Sequence, residues 1–303
     1  MKLSRVPPHI HLLMVLCAIL VSTSFPMGAA LTRMLDPAAL TLVRFVLAAV
    51  MLGPYVYFRH SLAVRWPFIL RCAMISMSLV IFFLCMFWAL RFTTALNTSV
   101  IFALVPSFSG IYASLLVREQ MSRAQRIALV CGMAGAIWVI SRGDPRVLMN
   151  MDWNRGDVIF LGGCLAMGLY TPLIKLLHRG EPMLVMTFWV LVTGSVWLLL
   201  FGGSSLLGVA WQEVPAFVWF GIFYLALFTT ITTFFLTQYC TPILGATKAM
   251  AYSYLYPAFV LIIDMLLGHG LPQPAVLPGV LIVLSAMIVL QYPEKMRQER
   301  KLC

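Results

Sequence analysis

The sequence predicts an all-α integral membrane protein with ten transmembrane helices, arranged as two inverted five-helix repeats. Three observations support this fold class: an apolar composition, ten apolar runs of membrane-spanning length, and an internal duplication. Hydrophobic residues make up 62% of the 303 residues and charged residues only 10%, against roughly 25% charged residues in soluble domains. The chain is therefore too apolar to fold as a soluble protein.

The apolar runs divide equally between the two halves of the chain. Most are about 17 to 25 residues long, which is the length that spans a bilayer as a helix. They do not alternate between apolar and polar residues, as the strands of a membrane β-barrel do. The predicted spans lie near 10–31, 38–58, 67–91, 94–117 and 125–141 in the first half, and near 158–177, 183–207, 215–236, 240–266 and 274–292 in the second.

The two halves repeat one pattern at their first span. Residues 18–33 read AILVSTSFPMGAALTR and residues 164–179 read CLAMGLYTPLIKLLHR. Each places a proline, Pro26 or Pro172, inside an apolar run that ends in arginine, and the two prolines are 146 residues apart. An acid–proline pair then opens the next run in both halves. Two homologous halves that each begin with a proline-interrupted helix are typical of transporters.

The orientation of the repeats follows from the helix count and the charges. We expect one repeat at 9–141 and the other at 157–292, and five spans per repeat force the second to enter the membrane from the opposite side. With the N-terminus in the cytoplasm, cytoplasmic segments hold 14 of the 21 lysines and arginines and outer segments hold 5, while Arg44 and Lys248 lie within spans. This bias predicts a bacterial-type inner membrane and cytoplasmic termini.

The net charge of +11 needs no other explanation than this topology, because the positive-inside bias already accounts for it. The charge therefore indicates a lipid bilayer as the partner and predicts no binding of nucleic acid. The sequence leaves a homodimer open.

Longer segments resemble a known family. The segment ALRFTTALNTSVIFALVPSFSGIYASLLVREQMSRAQRIALVCGMAGAIWVI (89–140) and its counterpart at 241–290 resemble the signature end of an EamA-like half in the drug/metabolite transporter superfamily. The resemblance implies a ten-helix secondary transporter that moves a small organic solute by alternating access, with export of amino acids or amino-acid-derived metabolites as the leading case. At two positions where that family usually has an acid, this chain has His269 and Tyr256.

Lys248 is the first candidate for a contact with the solute. In the predicted ninth span it lies eight residues from the start, which is about 12 Å deep at 1.5 Å per residue. Lys248, Tyr252 and Tyr256 follow an i, i+4, i+8 spacing and share one helix face, and the repeat alignment places Asn97 opposite Lys248. Such a face can receive a carboxylate; the alternative is a lysine that snorkels to the headgroups beside packing tyrosines.

Further candidates lie in other spans. Arg44 is seven residues into the second span and has Trp189 as its repeat partner, while Asp264 could pair with it. The alternative for Arg44 is an anchor at the outer surface. Tyr170 adjoins the proline of the sixth span and is a candidate for lining a pathway. Trp88 is a candidate near the outer end of the third span, where tryptophan is also typical of the interfacial belt.

Glu119 ends the fourth span among Arg118, Arg123 and Arg126. Charges at span ends cost little compared with charges at the middle of the bilayer. We therefore predict an ion pair within this local group that anchors the helix end, with a contact to the solute as the alternative.

Motifs for enzymatic or pump chemistry are absent from the sequence, which contains no HExxH and no phosphate-binding glycine loop. The five histidines lie at span ends or in loops. The sequence therefore predicts no enzyme, no cofactor and no metal. The leading function is export of carboxylate-bearing amino acids or related metabolites, including opine-like or metal-chelating ones. The alternatives are efflux of drugs or toxic compounds, uptake of a small metabolite and, more distantly, a membrane-embedded enzyme.

Overall fold

The computed structural model describes residues 6–32, 34–60, 65–89, 92–93, 98, 101–141, 143–150, 154–266 and 274–291. We number the membrane helices within these residues in chain order. They are α1 (Pro8–Leu31), α2 (Pro37–Arg59), α3 (Trp66–Ala89), α4 (Val105–Leu116), α5 (Arg123–Ile140), α6 (Arg155–Leu177), α7 (Met183–Gly202), α8 (Ala216–Leu244), α9 (Ala246–Ala251, the 3-10 turn Tyr252–Leu255 and Tyr256–Leu266) and α10 (Leu277–Gln291). The short helices Pro145–Met149 and Ser204–Leu207 lie in connections.

The described residues are helical without any strand, and nine of their helices are long and apolar enough to cross a membrane. The described part of α4 is a shorter apolar helix of 12 residues. Polar side chains cap several helix starts: Asp36 accepts hydrogen bonds from the first N–H groups of α2, and Ser122 and Asn154 form capping boxes on α5 and α6. Caps satisfy the N–H groups that have no partner within the helix. The predicted fold class is confirmed.

The inverted relation of the two repeats is visible in the helix packing. α3 packs along α6, and their repeat equivalents α8 and α1 also pack together. In the same way, the contact between α4 and α6 has its repeat equivalent in the contact between α9 and α1. The contact between α3 and α7 has its equivalent in the contact between α8 and α2. The pairs α2–α7, α4–α9 and α5–α10 each join a helix to its own equivalent. A pseudo-two-fold axis in the membrane plane produces this pattern.

Pro26 and Pro172 lie inside α1 and α6, and both helices continue through them. The prediction that these prolines interrupt their helices is therefore wrong. Neighbouring hydroxyl groups take part in the backbone hydrogen bonding before Pro26, where Ser22 Oγ donates to Ala18 O at 2.7 Å and Thr23 Oγ1 donates to Leu20 O at 2.7 Å. Neither acceptor is the Ser22 carbonyl, which Pro26 leaves without its usual N–H donor. Membrane helices tolerate such a proline where neighbouring protein re-satisfies the freed group.

Irregular turns occur at other places in the repeats. Residues 103–104 form a turn at the start of α4, and Tyr252–Leu255 forms a 3-10 turn in α9. These turns are repeat equivalents under the offset of 151 residues that relates Pro106 to Pro257. A π-helical turn, Leu227–Thr232, interrupts α8. Departures from α-helical hydrogen bonding within a helix often mark functional sites.

The boundary between α8 and α9 differs from the prediction, which placed it at 237–239. α8 ends at Leu244 and α9 begins at Ala246, with Gly245 between them at φ +97°. Only glycine adopts this backbone conformation without strain. Lys248 therefore lies in the first turn of α9, and its predicted depth of eight residues within the span is wrong.

Candidate substrate pathway

A cluster of aromatic rings fills the region between the two repeats near the middle of the membrane. We call it the central aromatic cluster, and it consists of Phe45, Phe82, Phe83, Phe102, Tyr170, Phe234 and Tyr256. Neighbouring ring centroids are 5.4–6.4 Å apart along the cluster, which is the spacing of favourable aromatic pairs. Helices α2 and α3 and the residue Phe102 just before α4 contribute the rings of the first repeat, and α6, α8 and α9 contribute those of the second. The space between the repeats is therefore closed at this level.

Tyr170 and Gln238 place buried polar groups beside this cluster. Both side chains are buried, and the Gln238 amide is close enough to the Tyr170 hydroxyl to interact with it. On its other side the amide is 2.9 Å from Thr187 Oγ1 in α7. The same Thr187 hydroxyl donates to Met183 O at 2.9 Å.

The number of protons decides how this group is hydrogen-bonded. Thr187 has one hydroxyl proton and two acceptors within reach, Gln238 Oε1 and Met183 O, which share it. The Tyr170 hydroxyl and Gln238 Nε2 are buried without a hydrogen-bond partner among the described residues. Polar groups of α6, α8 and α7 therefore lie together beside the cluster, and two of them have unused hydrogen-bonding capacity.

Arg44 packs its guanidinium against the same aromatic cluster. Its Cζ lies 5.3 Å from the centroid of the Phe83 ring and 5.9 Å from that of Phe45. Its Nε is buried without a hydrogen-bond partner among the described residues, and no salt bridge among those residues includes Arg44. The side chain of Asp264, the predicted partner, lies outside the described residues. Cation–π contacts offset part of the cost of this buried charge, and an anion would offset more.

Tyr256 connects the cluster to α1. Its ring stacks on Phe102, and its carbonyl oxygen lies 3.4 Å from Ser22 Oγ. Its hydroxyl lies near Tyr170 and near Cys17 of α1. Polar groups of α1, α6, α8 and α9 thus converge on one region between the repeats.

Lys248 and Tyr252 lie closer to the start of α9 than Tyr256 does. The Tyr252 hydroxyl is 2.7 Å from His11 Nδ1, and Lys248 is near enough to the same imidazole to act on it electrostatically. Gln291 Nε2 of α10 donates to Lys248 O at 3.4 Å. The predicted common face with Tyr256 is lost, because a 3-10 turn has three residues per turn and rotates the following residues relative to an α-helix.

The remaining sequence candidates are spread over the molecule. Trp189 packs against the buried core that contains Phe45, and its ring meets Phe188 edge to face at 5.5 Å. Trp88 is 64% exposed on the same side of α3 as the exposed Met74 and Ile81, which is the arrangement of a lipid-facing belt residue. The structure does not bring Trp88 to the central aromatic cluster. Asn97 lies outside the described residues.

A second polar group joins the repeats at the side predicted to be cytoplasmic. Glu119 Oε2 accepts a hydrogen bond from Lys175 Nζ at 3.2 Å and another from the backbone N–H of Ala246 at 3.1 Å. We call these three groups the latch. The salt bridge joins Glu119 to Lys175, whereas the sequence suggested the neighbouring arginines. Sequence reasoning missed these contacts because the partners are 56 and 127 residues away along the chain.

Hydroxyl groups extend the latch toward the middle of the membrane. Ser109 Oγ of α4 is 2.8 Å from Thr171 Oγ1 of α6, and Thr171 Oγ1 also donates to Ala246 O at 3.1 Å. Both side chains are fully buried. Helices α4, α6 and α9 are therefore tied together at this level by side chains from both repeats.

An ion pair between Arg71 and Glu181 lies on the same side of the protein, and Arg71 also donates to Leu177 O at 2.7 Å. Partial burial acts to raise the pKa of Glu181, but hydrogen bonds from the Arg179 N–H and the Arg71 side chain outweigh it and hold that pKa below its usual range. The carboxylate is therefore charged at neutral pH and holds α3 to the loop between α6 and α7.

Two inverted repeats of membrane helices, with polar and aromatic groups converging between them and ionic contacts that join them at one side, define a membrane transport protein. The model of the EamA-like transporter family matches residues 9–141 and 154–291. The chain belongs to this family, and the resemblance predicted from the sequence is confirmed.

Relatives with curated descriptions are also described as transporters. The chain is 24% identical over 201 residues to "Uncharacterized transporter YyaM" of Bacillus subtilis, which is 66% of this chain and 66% of the relative. It is 24% identical over 256 residues to an "Uncharacterized transporter" of Archaeoglobus fulgidus, covering 83% of this chain and 86% of the relative. A solved structure described only as "Crystal structure of protein" matches with a TM-score of 0.70 and 15% identity, covering 91% of this chain and 94% of the other. At this identity the match shows the fold alone.

Proposed function

We propose that this protein is a secondary transporter that exports small carboxylate-bearing amino acids or amino-acid-derived metabolites along the pathway between its repeats. The observation that carries the proposal is Arg44, a cation within a membrane helix whose Nε is buried without a partner among the described residues. A solute carboxylate can supply the missing acceptor, because a guanidinium binds a carboxylate through two parallel hydrogen bonds.

The position of Arg44 fits a contact along a transport pathway. It is seven residues after the start of α2, which corresponds to about 10 Å along the helix. It touches Phe45, whose ring meets Phe234 with centroids 5.6 Å apart, and Phe234 in turn meets Tyr170 at 6.2 Å. Arg44 and the polar groups of Tyr170 and Gln238 are therefore linked through two rings of the central aromatic cluster, Phe45 and Phe234.

The polar groups around the cluster suit the other end of such a solute. Tyr170, Gln238 and Tyr256 offer hydroxyl and amide groups that can form hydrogen bonds to an amine or carbonyl of the solute. Lys248 and Tyr252, near the predicted cytoplasmic end of α9, suit a first contact with an entering carboxylate. Trp189 and Asn97 enter the proposal only through the repeat alignment, which pairs Trp189 with Arg44 and Asn97 with Lys248.

Export, the direction that the family resemblance suggests, agrees with the predicted orientation. The bias of lysine and arginine supports a bacterial-type inner membrane with both termini in the cytoplasm. An inward opening would then require the latch and the Arg71–Glu181 pair to separate, while an outward opening would leave both intact.

Counterflow in proteoliposomes tests the proposal. Proteoliposomes that contain the purified protein are loaded with mixed unlabelled amino acids. Uptake of labelled amino acids is then compared with uptake of the matching amino-acid amides and of a lipophilic cation. The wild type is expected to transport the free carboxylates and to discriminate against the amides. Arg44→Gln should reduce carboxylate transport about 10- to 100-fold, the effect of a lost hydrogen bond to a charged group.

Matched variants separate the role of Arg44 from a general loss of function. Arg44→Lys keeps the charge and should retain part of the transport. Arg155→Gln removes an exposed arginine at the start of α6 and should leave transport unchanged. Equal transport of carboxylates and amides, or full activity of Arg44→Gln, would overturn the carboxylate proposal.

A further inference from the structure

A groove of about 530 Å³ lies where α4 ends and α5 begins, at the side predicted to be cytoplasmic. Two of the side chains that line it are guanidinium groups, and the single carboxylate among them is held by the latch. The lining residues are Ser114, Arg118, Glu119, Gln120, Met121 and Arg126. The groove therefore presents a net positive charge at the height of the lipid headgroups.

The backbone at Arg118 is unusual for a residue with a side chain. Its φ is +52°, and the N–H of Glu119 donates to Ala113 O at 3.0 Å, so a left-handed residue ends α4. Glycine is the usual residue at such a helix end, because it alone avoids the steric cost of this conformation. The sharp turn separates two neighbouring charges: Arg118 lines the groove, while the Glu119 carboxylate reaches Lys175 and Ala246.

Exposed apolar side chains continue from the groove along both helices. Ile111 and Leu115 lie on one side of α4, at i, i+4 spacing, and both are exposed. Ile127 and Val130 of α5 are also exposed, beside Arg126. In a membrane protein such a surface faces acyl chains, so the two arginines cap a strip of lipid-facing surface.

We propose that this groove binds one anionic phospholipid, with its phosphate between Arg118 and Arg126 and its acyl chains along α4 and α5. Basic pockets between membrane helices at the cytoplasmic side bind anionic headgroups. The apolar strip favours a lipid over a free phosphate, because a soluble phosphate cannot use it. The lipid also gives Arg118 a function that accounts for its presence at a position suited to glycine. The bound lipid would stabilise the turn from which Glu119 reaches the latch. This proposal does not depend on which solute is transported.

Thermal unfolding and native mass spectrometry in a neutral detergent test this site. The probes are phosphatidylglycerol, phosphatidylcholine and soluble glycerol phosphate. We expect phosphatidylglycerol to raise the apparent melting temperature and to remain bound as a single lipid, while the other two have no such effect. Arg118→Gly and Arg126→Gln should each weaken this binding about fivefold, the contribution of one arginine near an anionic membrane surface.

The variants are chosen so that a folding defect cannot imitate the result. Arg118→Gly introduces the residue that the backbone favours, so the lipid-free variant should be at least as stable as the wild type. Arg123→Gln removes a neighbouring exposed arginine that does not line the groove, and it should bind phosphatidylglycerol like the wild type. Equal phosphatidylglycerol binding by all four proteins, or equal stabilisation by glycerol phosphate, would overturn the proposal.

Discussion

The carboxylate of Glu119 in the first repeat lies 3.2 Å from the ammonium group of Lys175 in the second, and the same oxygen accepts the backbone N–H of Ala246. One side chain thus joins the end of α4 to α6 and to the start of α9. Hydrogen bonds to charged groups are worth more than neutral ones. The latch is therefore well placed to hold the repeats together at the side predicted to be cytoplasmic.

Loss of the Glu119 charge should open this side of the protein. In a cysteine-free background carrying Thr171→Cys, we expect Glu119→Gln to increase labelling by a membrane-impermeant thiol reagent added from the latch side. The rate should rise about tenfold or more, because a hydrogen bond between charged groups is worth about 1.5–3 kcal/mol. Thr171 is fully buried beside the latch, so its labelling reports opening.

An exposed ion pair elsewhere provides the control for this experiment. Asp144→Asn breaks the pair between Asp144 and Arg146 in the connection between the repeats, and labelling at position 171 should not change. An unchanged labelling rate in correctly folded Glu119→Gln protein would show that the latch does not close this side.

The Arg71–Glu181 pair predicts a dependence of stability on pH. The pKa of Glu181 in the folded protein lies below its ordinary value of 4.5, so the carboxylate stabilises the fold fully above that value. This contribution is lost as the pH falls through the lower pKa of the folded state. Glu181→Gln should therefore lower the free energy of unfolding by about 1–2 kcal/mol at pH 7, and the difference from the wild type should shrink in strong acid.

Unfolding of purified protein between pH 3 and pH 8 measures this difference. Glu213→Gln, which changes an exposed carboxylate in the loop before α8, should follow the wild-type profile throughout. A Glu181→Gln defect of constant size over the whole range would show that the charge of Glu181 is not its cause.

The orientation in the membrane is tested separately with reporter fusions. The bias of lysine and arginine places the connection between α5 and α6 outside the cytoplasm. A reporter fused after Arg146 should therefore be exported, and one fused at the C-terminus should be cytoplasmic. A cytoplasmic signal from both fusions would contradict the predicted orientation.

The sequence was sufficient for the ten-helix fold, because length and hydropathy identify spans directly and an odd number of helices per repeat imposes inversion. It was less informative where a helix changes direction within an apolar stretch. The segment TPILGATKAM contains only scattered polar residues and no polar loop, so the sequence does not reveal the turn at Gly245 and predicts too deep a position for Lys248. The continuous paths of α1 and α6 through Pro26 and Pro172 were also not predictable from the sequence, because a proline within an apolar run normally indicates a kink or a break.

The candidate site was predictable only in part for a similar reason. Arg44 and Tyr170 could be selected from the sequence, since a charge in a span and a tyrosine beside a proline are local features. Gln238 was not selected, because its importance comes from Thr187 and Tyr170 on two other helices. Long-range pairs such as Glu119 with Lys175 leave no signal in the spacing of a single sequence.

Gly245 offers the sharpest test of the geometry around the latch. Its backbone, at φ +97° and ψ 152°, is in a region adopted almost only by glycine. A Cβ atom at this position would lie 2.4 Å from Glu119 Oε1. Gly245→Ala should therefore be destabilised by backbone strain, about 1–3 kcal/mol for a residue in such a sparsely populated region, and by the clash with Glu119 in addition.

Two comparisons separate the strain from the clash. Gly180→Ala introduces a side chain at φ +91° with no atom within 4 Å of the new Cβ, so it should show the strain alone. In a Glu119→Ala background the clash is absent, and Gly245→Ala should then cost less than it does in the wild type. Thermal unfolding of the four proteins of this double-mutant cycle gives the coupling energy between residues 119 and 245. A coupling of zero would mean that the Glu119 carboxylate does not rest against the turn between α8 and α9.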